Sequence, residues 1–369
     1  MVILDVRLHN IYAFKNFHMN LTYPKKIVGS SIPEEHLAGR PNFRYKKVNI
    51  IMGANASGKT TFGRALMQIF NFLDRKNYRF ITDIIGDRKK EASFTIDMAC
   101  EHNMFYRISC KIPPCEGDKY TANNIILSIR EEKILAKDSY ESCIKRLDEV
   151  AYTPSEMYLE ELEKVSDLDW LFMYPDSAQI LRFDKEDALF GQILERILKA
   201  LDPSIREVTE SADVENTYII RLQDKAIILQ DGEKFDSNFL SSGTKSGVKI
   251  TEMVSAIKHG KCGFYYCDEK FSYIHSDLEK AILSLMIDSL QANNQLFFTS
   301  HNTDILDLNL PKHSFTFLCK DIANEERPIN CISASEVLKR NTDSLKNAVE
   351  NDMFACAPAV DLVYAIADL

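Results

Sequence analysis

The stretch "VNIIMGANASGKT", Val48 to Thr60, decides how this chain is read. Its first half is a compact apolar run that stops at Gly53, as a buried strand does. Its second half, Gly53 to Thr60, fits GxxxxGK[ST] without a mismatch. The run that follows, "TTFGRALMQIFNFLDRK", carries Phe62, Leu66, Ile69, Phe70 and Leu73 at helical spacing. Strand, glycine-rich turn and helix thus follow one another in the order that a phosphate-binding loop requires. Glycines let the backbone wrap so that its N–H groups point inward at phosphate oxygens. Lys59 is placed to reach the β- and γ-phosphates, and the Thr60 hydroxyl to ligate Mg²⁺. Gly53, Asn55, Ala56, Ser57, Gly58, Lys59, Thr60 and Thr61 are the expected nucleotide-binding set.

Two more strand ends extend this site. "GFYYCDE", Gly263 to Glu269, places Asp268 and Glu269 at the end of an apolar strand. In a parallel α/β sheet that end faces the ligand crevice. An acidic pair there alone is ordinarily a turn or a helix start. Behind a phosphate loop, Asp268 is expected to hold Mg²⁺ through water and Glu269 to polarise an attacking water as general base. "QLFFTSH" is a further apolar strand ending in Ser300 and His301. A histidine after a strand is commonly solvated or a cap. Beside the acidic strand, His301 is expected to contact the γ-phosphate or its water.

The remaining chain sets bounds. It has 369 residues, a net charge of -9 and 45% hydrophobic residues, an ordinary soluble composition. The charge argues against a mainly electrostatic nucleic-acid binder. Nine cysteines without a CxxC pair are expected to be reduced thiols in a cytosol. The start "MVILDVRLHNIYAF" lacks the basic start and long apolar core of a targeting segment, so none is expected, and no apolar run is long enough for a membrane span. Residues 1–22 predict two strands, and 23–47 a polar surface excursion. Strand-like alternation occupies 93–135. Helical patterns fill 137–200, interrupted by Pro154 and Pro175, and strands return in "TYIIRLQDKAIILQ". The alternation after residue 240 predicts an α/β core made from both ends of the chain. We read residues 1–92 as the first part of that core, 93–235 as a β-rich lobe with a helical insertion, and 236–369 as its second part.

The stretch "FLSSGTKSGVK", Phe239 to Lys249, has the composition of a linker. The order phosphate loop, "LSSGT", "YYCDE", "TSH" gives it another meaning, because it is the order of ABC-type ATPases. "LSSGT" stands where their LSGGQ signature belongs. Ser241 matches the signature serine and Gly243 its second glycine, while Ser242 and Thr244 replace a glycine and the glutamine. The chain resembles the soluble ABC ATPases related to SMC, Rad50 and RecF proteins. Within that branch it resembles the OLD-like ATPases common in bacterial anti-phage systems. "LHNIYAFKNFHMNL" is similar to their opening strands, and "FTSHNTDILDLNL" with "FTFLCKD" to their switch-histidine region. "LKRNTDSLKNAVENDMFACAPAV" looks like a worn version of their C-terminal tail.

The resemblance implies an α/β ABC-ATPase head, a P-loop NTPase fold, that binds and hydrolyses ATP with Mg²⁺. It implies ATP-sandwiched dimers in which Ser241 and Gly243 of one protomer face the γ-phosphate held by another. The chain departs from the pattern at the glutamine loop, since Gln68 looks structural, and after Glu269, where "KFSYIHSDLEK" replaces a SALD-type loop. "IHSDL" looks like the "LHP" of OLD-like ATPases, which makes His275 a candidate for contact across the dimer. No zinc hook, long coiled coil or Toprim nuclease domain is expected, so an effector would be a separate protein. The implied role is a cytoplasmic ATPase that controls that effector, with a nucleic acid or phage protein as trigger. The alternative is a DNA-stimulated repair ATPase, motivated by Arg75, Lys76, Arg79, Arg88, Lys89 and Lys90. A GTPase reading lacks an NKxD motif, and a kinase reading leaves "LSSGT" and His301 without a task.

Overall fold

The computed structural model describes residues 1–115, 117, 119–155, 157–166, 168–174, 189–214, 217–230, 233–234, 242–269, 271, 274–321, 323–340, 343–356 and 361–368. The elements run β1 (Val2–His9), β2 (Phe17–Asn20), β3 (His36–Leu37), β4 (Arg40–Arg44), β5 (Val48–Met52), α1 (Lys59–Arg75) and α2 (Arg79–Thr82). Then come β6 (Ala92–Cys100), β7 (Met104–Ile112), β8 (Ile126–Lys133), α3 (Tyr140–Glu149), α4 (Tyr158–Leu162), β9 (Trp170–Met173) and α5 (Phe190–Leu201). A small hairpin sheet follows: β10 (Glu207–Glu210), β11 (Thr217–Arg221), β12 (Ala226–Gln230) and β13 (Glu233–Lys234). The chain then gives α6 (Ser242–Lys258), β14 (Phe264–Asp268), α7 (Ser276–Ser289), β15 (Gln295–Thr299), β16 (Phe315–Lys320), β17 (Ile329–Ser333), α8 (Ala334–Val337) and α9 (Leu345–Glu350).

The central sheet has the order β17-β16-β5-β15-β14-β9. All its pairings are parallel except β16 with β17. Its strands read as continuous apolar runs because both faces are covered. β5, β14 and β15 are buried at every position. On one face lies α1, whose Phe62, Leu66, Ile69, Phe70 and Leu73 are 0–2% exposed, as the helical spacing predicts. Beyond α1 stands an antiparallel sheet of order β2-β1-β6-β7-β8, so α1 is packed between two sheets. Each such side chain contributes about 1.5–3 kcal/mol by leaving water. The other face carries α6 and α7, packed through Met253, Ile257, Leu283 and Met286 on Ile50, Tyr265 and Phe298. A smaller core joins α5 to β10, β11 and β12.

Three expectations are corrected. Residues 137–200 are not helical throughout: "WLFM" is β9, which pairs with β14 from Trp170–Phe264 to Met173–Cys267. It is a short edge strand with Phe172 and Met173 buried, and propensity alone carries little weight there. Residues 23–47 hold the β3–β4 hairpin and bury Ile32, Leu37, Phe43 and Tyr45, so they are no mere surface excursion. Not every cysteine is a reduced thiol, because Cys319 and Cys356 form a disulfide with Cα atoms 5.0 Å apart. The tail after α9 folds back along β16, where Phe354 stacks on Phe317 at 3.9 Å, and that return joins the two cysteines. No helix among the described residues is long and apolar enough to cross a membrane.

Candidate nucleotide site at the carboxyl end of the parallel sheet

β5 ends at Met52, and the chain turns through Gly53–Gly58 into α1. Gly53 has φ +150°, and a Cβ there would lie 2.2 Å from the Leu318 carbonyl oxygen. Only a residue without a side chain lets β5 and β16 approach so closely while the loop leaves the sheet. Asn55 and Ala56 are exposed at the loop tip, Ser57 and Lys59 are buried, and Gly58, Thr60 and Thr61 are half-buried. The helix leans onto the sheet at Gly63, where a Cβ would lie 2.4 Å from the Tyr266 ring. That approach lets the Tyr266 hydroxyl donate to the Lys59 carbonyl at 2.8 Å, joining the helix start to the acidic strand.

Lys59 is 4% exposed, and its ammonium meets three oxygens. It donates to the carbonyls of Gly53 at 2.8 Å and Ala54 at 3.2 Å. It also pairs with Glu269 Oε1 at 3.0 Å. The loop and the acidic strand, more than two hundred residues apart in sequence, are therefore joined by one cation.

β14 and β15 pair so that Asp268 lies opposite Thr299. The Thr299 hydroxyl donates to Asp268 Oδ1 at 2.7 Å, and its oxygen accepts the Glu269 N–H at 2.9 Å. Glu269 has φ +38°, so the chain turns sharply just past the strand and brings that carboxylate back over Lys59. Burial pushes the Asp268 carboxyl above its ordinary range, while Thr60, Thr299 and Lys59 favour its charged form. Thr60 approaches this carboxylate, yet Asp268 Oδ2 and Ser57 Oγ are buried without a geometric hydrogen-bond partner among the described residues. Orphaned buried oxygens of this kind are uncommon.

His301 follows β15 and is 53% exposed; its Nδ1 lies 4.0 Å from Glu269 Oε1. It borders two cavities. One, of about 620 Å³, runs from Gly53, Asn55 and Ser57 past His301 to Phe317 and Phe354. The other, of about 380 Å³, is bounded by Glu269, Ser276, Glu279, Ser300 and Asn302.

The loop residues, Asp268, Glu269 and His301 thus meet at the carboxyl end of the sheet. Ser241 lies outside the described residues; Gly243 falls in the first turn of α6. His275 caps α7, accepting the Asp277 N–H at 3.3 Å through Nδ1. Gln68 lies on α1, as its spacing implied. The basic cluster is partly engaged: Arg75 stands over Phe80, Arg88 over Tyr120, and Lys76 pairs with Glu163. Thr299, Tyr266 and Glu279 were not singled out from sequence. Thr299 ends a strand that the sequence does show, but its facing of Asp268, like the placing of the other two, depends on tertiary approach.

Mg²⁺ suits the oxygens present. Thr60 and Asp268 would hold it, with Asp268 Oδ2 as the unsatisfied acceptor. Among the described residues no group of three His, Cys, Asp or Glu side chains forms a metal cluster.

No protein-family model matches the chain, and no curated protein does. Among solved structures it is similar to an SMC head bound to the C-terminal winged-helix domain of ScpA. The TM-score is 0.51 and the identity 14%, over 92% of this chain and 100% of that one. It is also similar to the SMC head with an extended coiled coil, bound to the C-terminal domain of ScpA, from Pyrococcus furiosus. There the TM-score is 0.50 and the identity 13%, over 92% and 98% of the two chains. The chain therefore has the mixed α/β fold of these SMC heads.

Proposed function

We propose that this chain is an ABC-type ATPase that hydrolyses ATP with Mg²⁺ and assembles through it. One observation carries the reading: Lys59 at the start of α1, Asp268 and Glu269 at the end of β14, and His301 after β15 converge at the carboxyl end of one parallel sheet. Ligands of open α/β sheets bind at that end. The backbone N–H groups of Gly53–Thr60 and the Lys59 ammonium would hold the phosphates. Lys59 would exchange its contacts to the Gly53 and Ala54 carbonyls for β- and γ-phosphate oxygens. Bound Mg²⁺ would neutralise charge on those oxygens. Glu269, released from Lys59, would take a proton from water as that water attacks the γ-phosphorus and ADP leaves. His301 would orient the γ-phosphate or the water. Steady-state release of inorganic phosphate tests the reading. Wild type should turn over ATP, Lys59→Ala should not bind it, and Glu269→Gln should bind it without turnover. Hydrolysis that survives Lys59→Ala would overturn the assignment.

Ser241 and Gly243 would serve the γ-phosphate of a second protomer, making the active unit an ATP-sandwiched homodimer. The resemblance to OLD-like ATPases supports a cytoplasmic role in which this dimer controls a separate effector, a nuclease or toxin, in anti-phage defence. A phage protein or nucleic acid would be its trigger. The likeness to SMC heads, and the basic residues from Arg75 to Lys90, favour the second reading of a DNA-stimulated repair ATPase. Capture by Glu269→Gln with ATP and Mg²⁺ separates the two. A retained effector supports the first, and retained DNA with steep salt dependence the second.

A further inference from the structure

Glu279 is 4% exposed in the first turn of α7 and faces the loop that carries His301. Its Oε1 accepts the Ser300 hydroxyl at 3.0 Å, and its Oε2 accepts the Asn302 side-chain amide at 2.6 Å. Ser300 and Asn302 are the two residues that flank His301. Ser300 Oγ also accepts the Asn302 backbone N–H at 3.0 Å, which tightens the turn around the histidine. The Asn302 amide reaches Ser276 Oγ at 3.2 Å, and Ser276 donates to Asp304 Oδ2 at 2.6 Å. One buried carboxylate thereby ties the start of α7 to both sides of His301. Burial opposes its charge, while Asn302, Ser300 and His301 favour it. An apolar residue would pack at this position at lower cost, because a buried carboxylate needs every lone pair met. His301 itself is 53% exposed and its ring lies 4.0 Å from Glu269, too far for a hydrogen bond to fix it, so the backbone on either side sets where its ring stands.

We propose that Glu279 is a positioning residue: it holds the His301 ring in line with Glu269 and the phosphate loop, and links that placement to the start of α7. The inference rests on the reading of the site as an ATPase. A displacement of about 1 Å in such a site costs on the order of a hundredfold in rate. The packed setting of α7 limits the movement here, so about tenfold is expected.

Two readouts test it. In steady-state kinetics, Glu279→Ala should lower kcat about tenfold and leave KM within about twofold, since only the placement of the histidine changes. Glu279→Gln should restore most of kcat, because its carboxamide accepts from Asn302 and donates to Ser300. In a His301→Ala background, Glu279→Ala should have no further effect on kcat. Multiplying effects in the double variant, or an unchanged kcat in Glu279→Ala, would overturn the proposal. Asn302→Ala removes the same grip from the half-buried side and stands in if Glu279→Ala fails to fold. The second readout needs no turnover. In histidine-labelled protein, the ring resonance that His301→Ala removes should shift in Glu279→Ala and return in Glu279→Gln. An unmoved resonance overturns the inference whatever the activity, whereas absent wild-type turnover would overturn the ATPase reading alone.

Discussion

Thr299 and Asp268 sit opposite each other in the pairing of β15 with β14, and a 2.7 Å hydrogen bond from the Thr299 hydroxyl fixes one oxygen of the aspartate. The same hydroxyl oxygen takes the Glu269 N–H at 2.9 Å. One side chain therefore fixes two successive acidic residues, and it leaves Asp268 Oδ2 as the oxygen turned to other partners.

Thr299→Val keeps the shape of the side chain and removes both hydrogen bonds. It leaves a buried carboxylate oxygen and a backbone N–H unmet, which costs about 1–3 kcal/mol. Urea unfolding should show that loss, and phosphate release should fall about tenfold or more. Full stability with full turnover would mean that the hydroxyl does not hold the acidic pair.

Gly53→Ala places a Cβ 2.2 Å from the Leu318 carbonyl oxygen, a clash between two backbones that neither can relieve by a rotamer change. At φ +150° the alanine is strained as well. Weaker nucleotide binding is expected, by at least about tenfold, with a fold that survives because the loop alone moves. Binding of a fluorescent ATP analogue measures it.

Glu252, on α6, is half-buried, and burial pushes its carboxyl up to about 7 against the pull of Lys249 and Lys261. Between its unfolded value of 4.5 and about 7 the native state binds more protons than the unfolded one. Stability must therefore fall as pH rises through that window. Glu252→Gln removes the ionisation. The variant should match wild type near pH 4 and exceed it above pH 7 by on the order of 1–3 kcal/mol. Denaturant midpoints across pH check the sign; a variant that loses stability above pH 7 would show that the ionised carboxylate is held by favourable partners.

Ser241→Arg bears on the composite site. The isolated chain should still bind ATP, because the phosphate loop is untouched. In the Glu269→Gln background, ATP-dependent association should disappear when followed by light scattering on a sizing column. Association that persists would return "LSSGT" to the status of a connecting loop.

Much of the architecture was legible before any coordinates. The apolar run before Gly53, the helical spacing after it and the strands ending at Asp268 and Thr299 are local patterns, and the structure contains each element. β9 was not legible. Its four residues sit in a stretch of helical patterns, and only pairing with β14 makes them a strand. The hairpin within 23–47 was hidden for a related reason, since Phe43 and Tyr45 are scattered among polar residues and become core only by packing. The Cys319–Cys356 pair had no spacing to betray it, because the return of the tail along β16 brings the two together.

Sequence by itself determined which residues can carry the chemistry: a loop whose glycines free its amides, a lysine, two carboxylates and a histidine at strand ends. Backbone conformation and periodicity are local, so a single chain displays them. Tertiary structure alone decided how those groups face one another. Lys59 meets Glu269, Thr299 meets Asp268 and Glu279 grips the flanks of His301 because parallel strands set a register and helices lean on them. Those contacts are a few ångströms long between residues as much as 210 positions apart, and no local pattern encodes a distance of that kind.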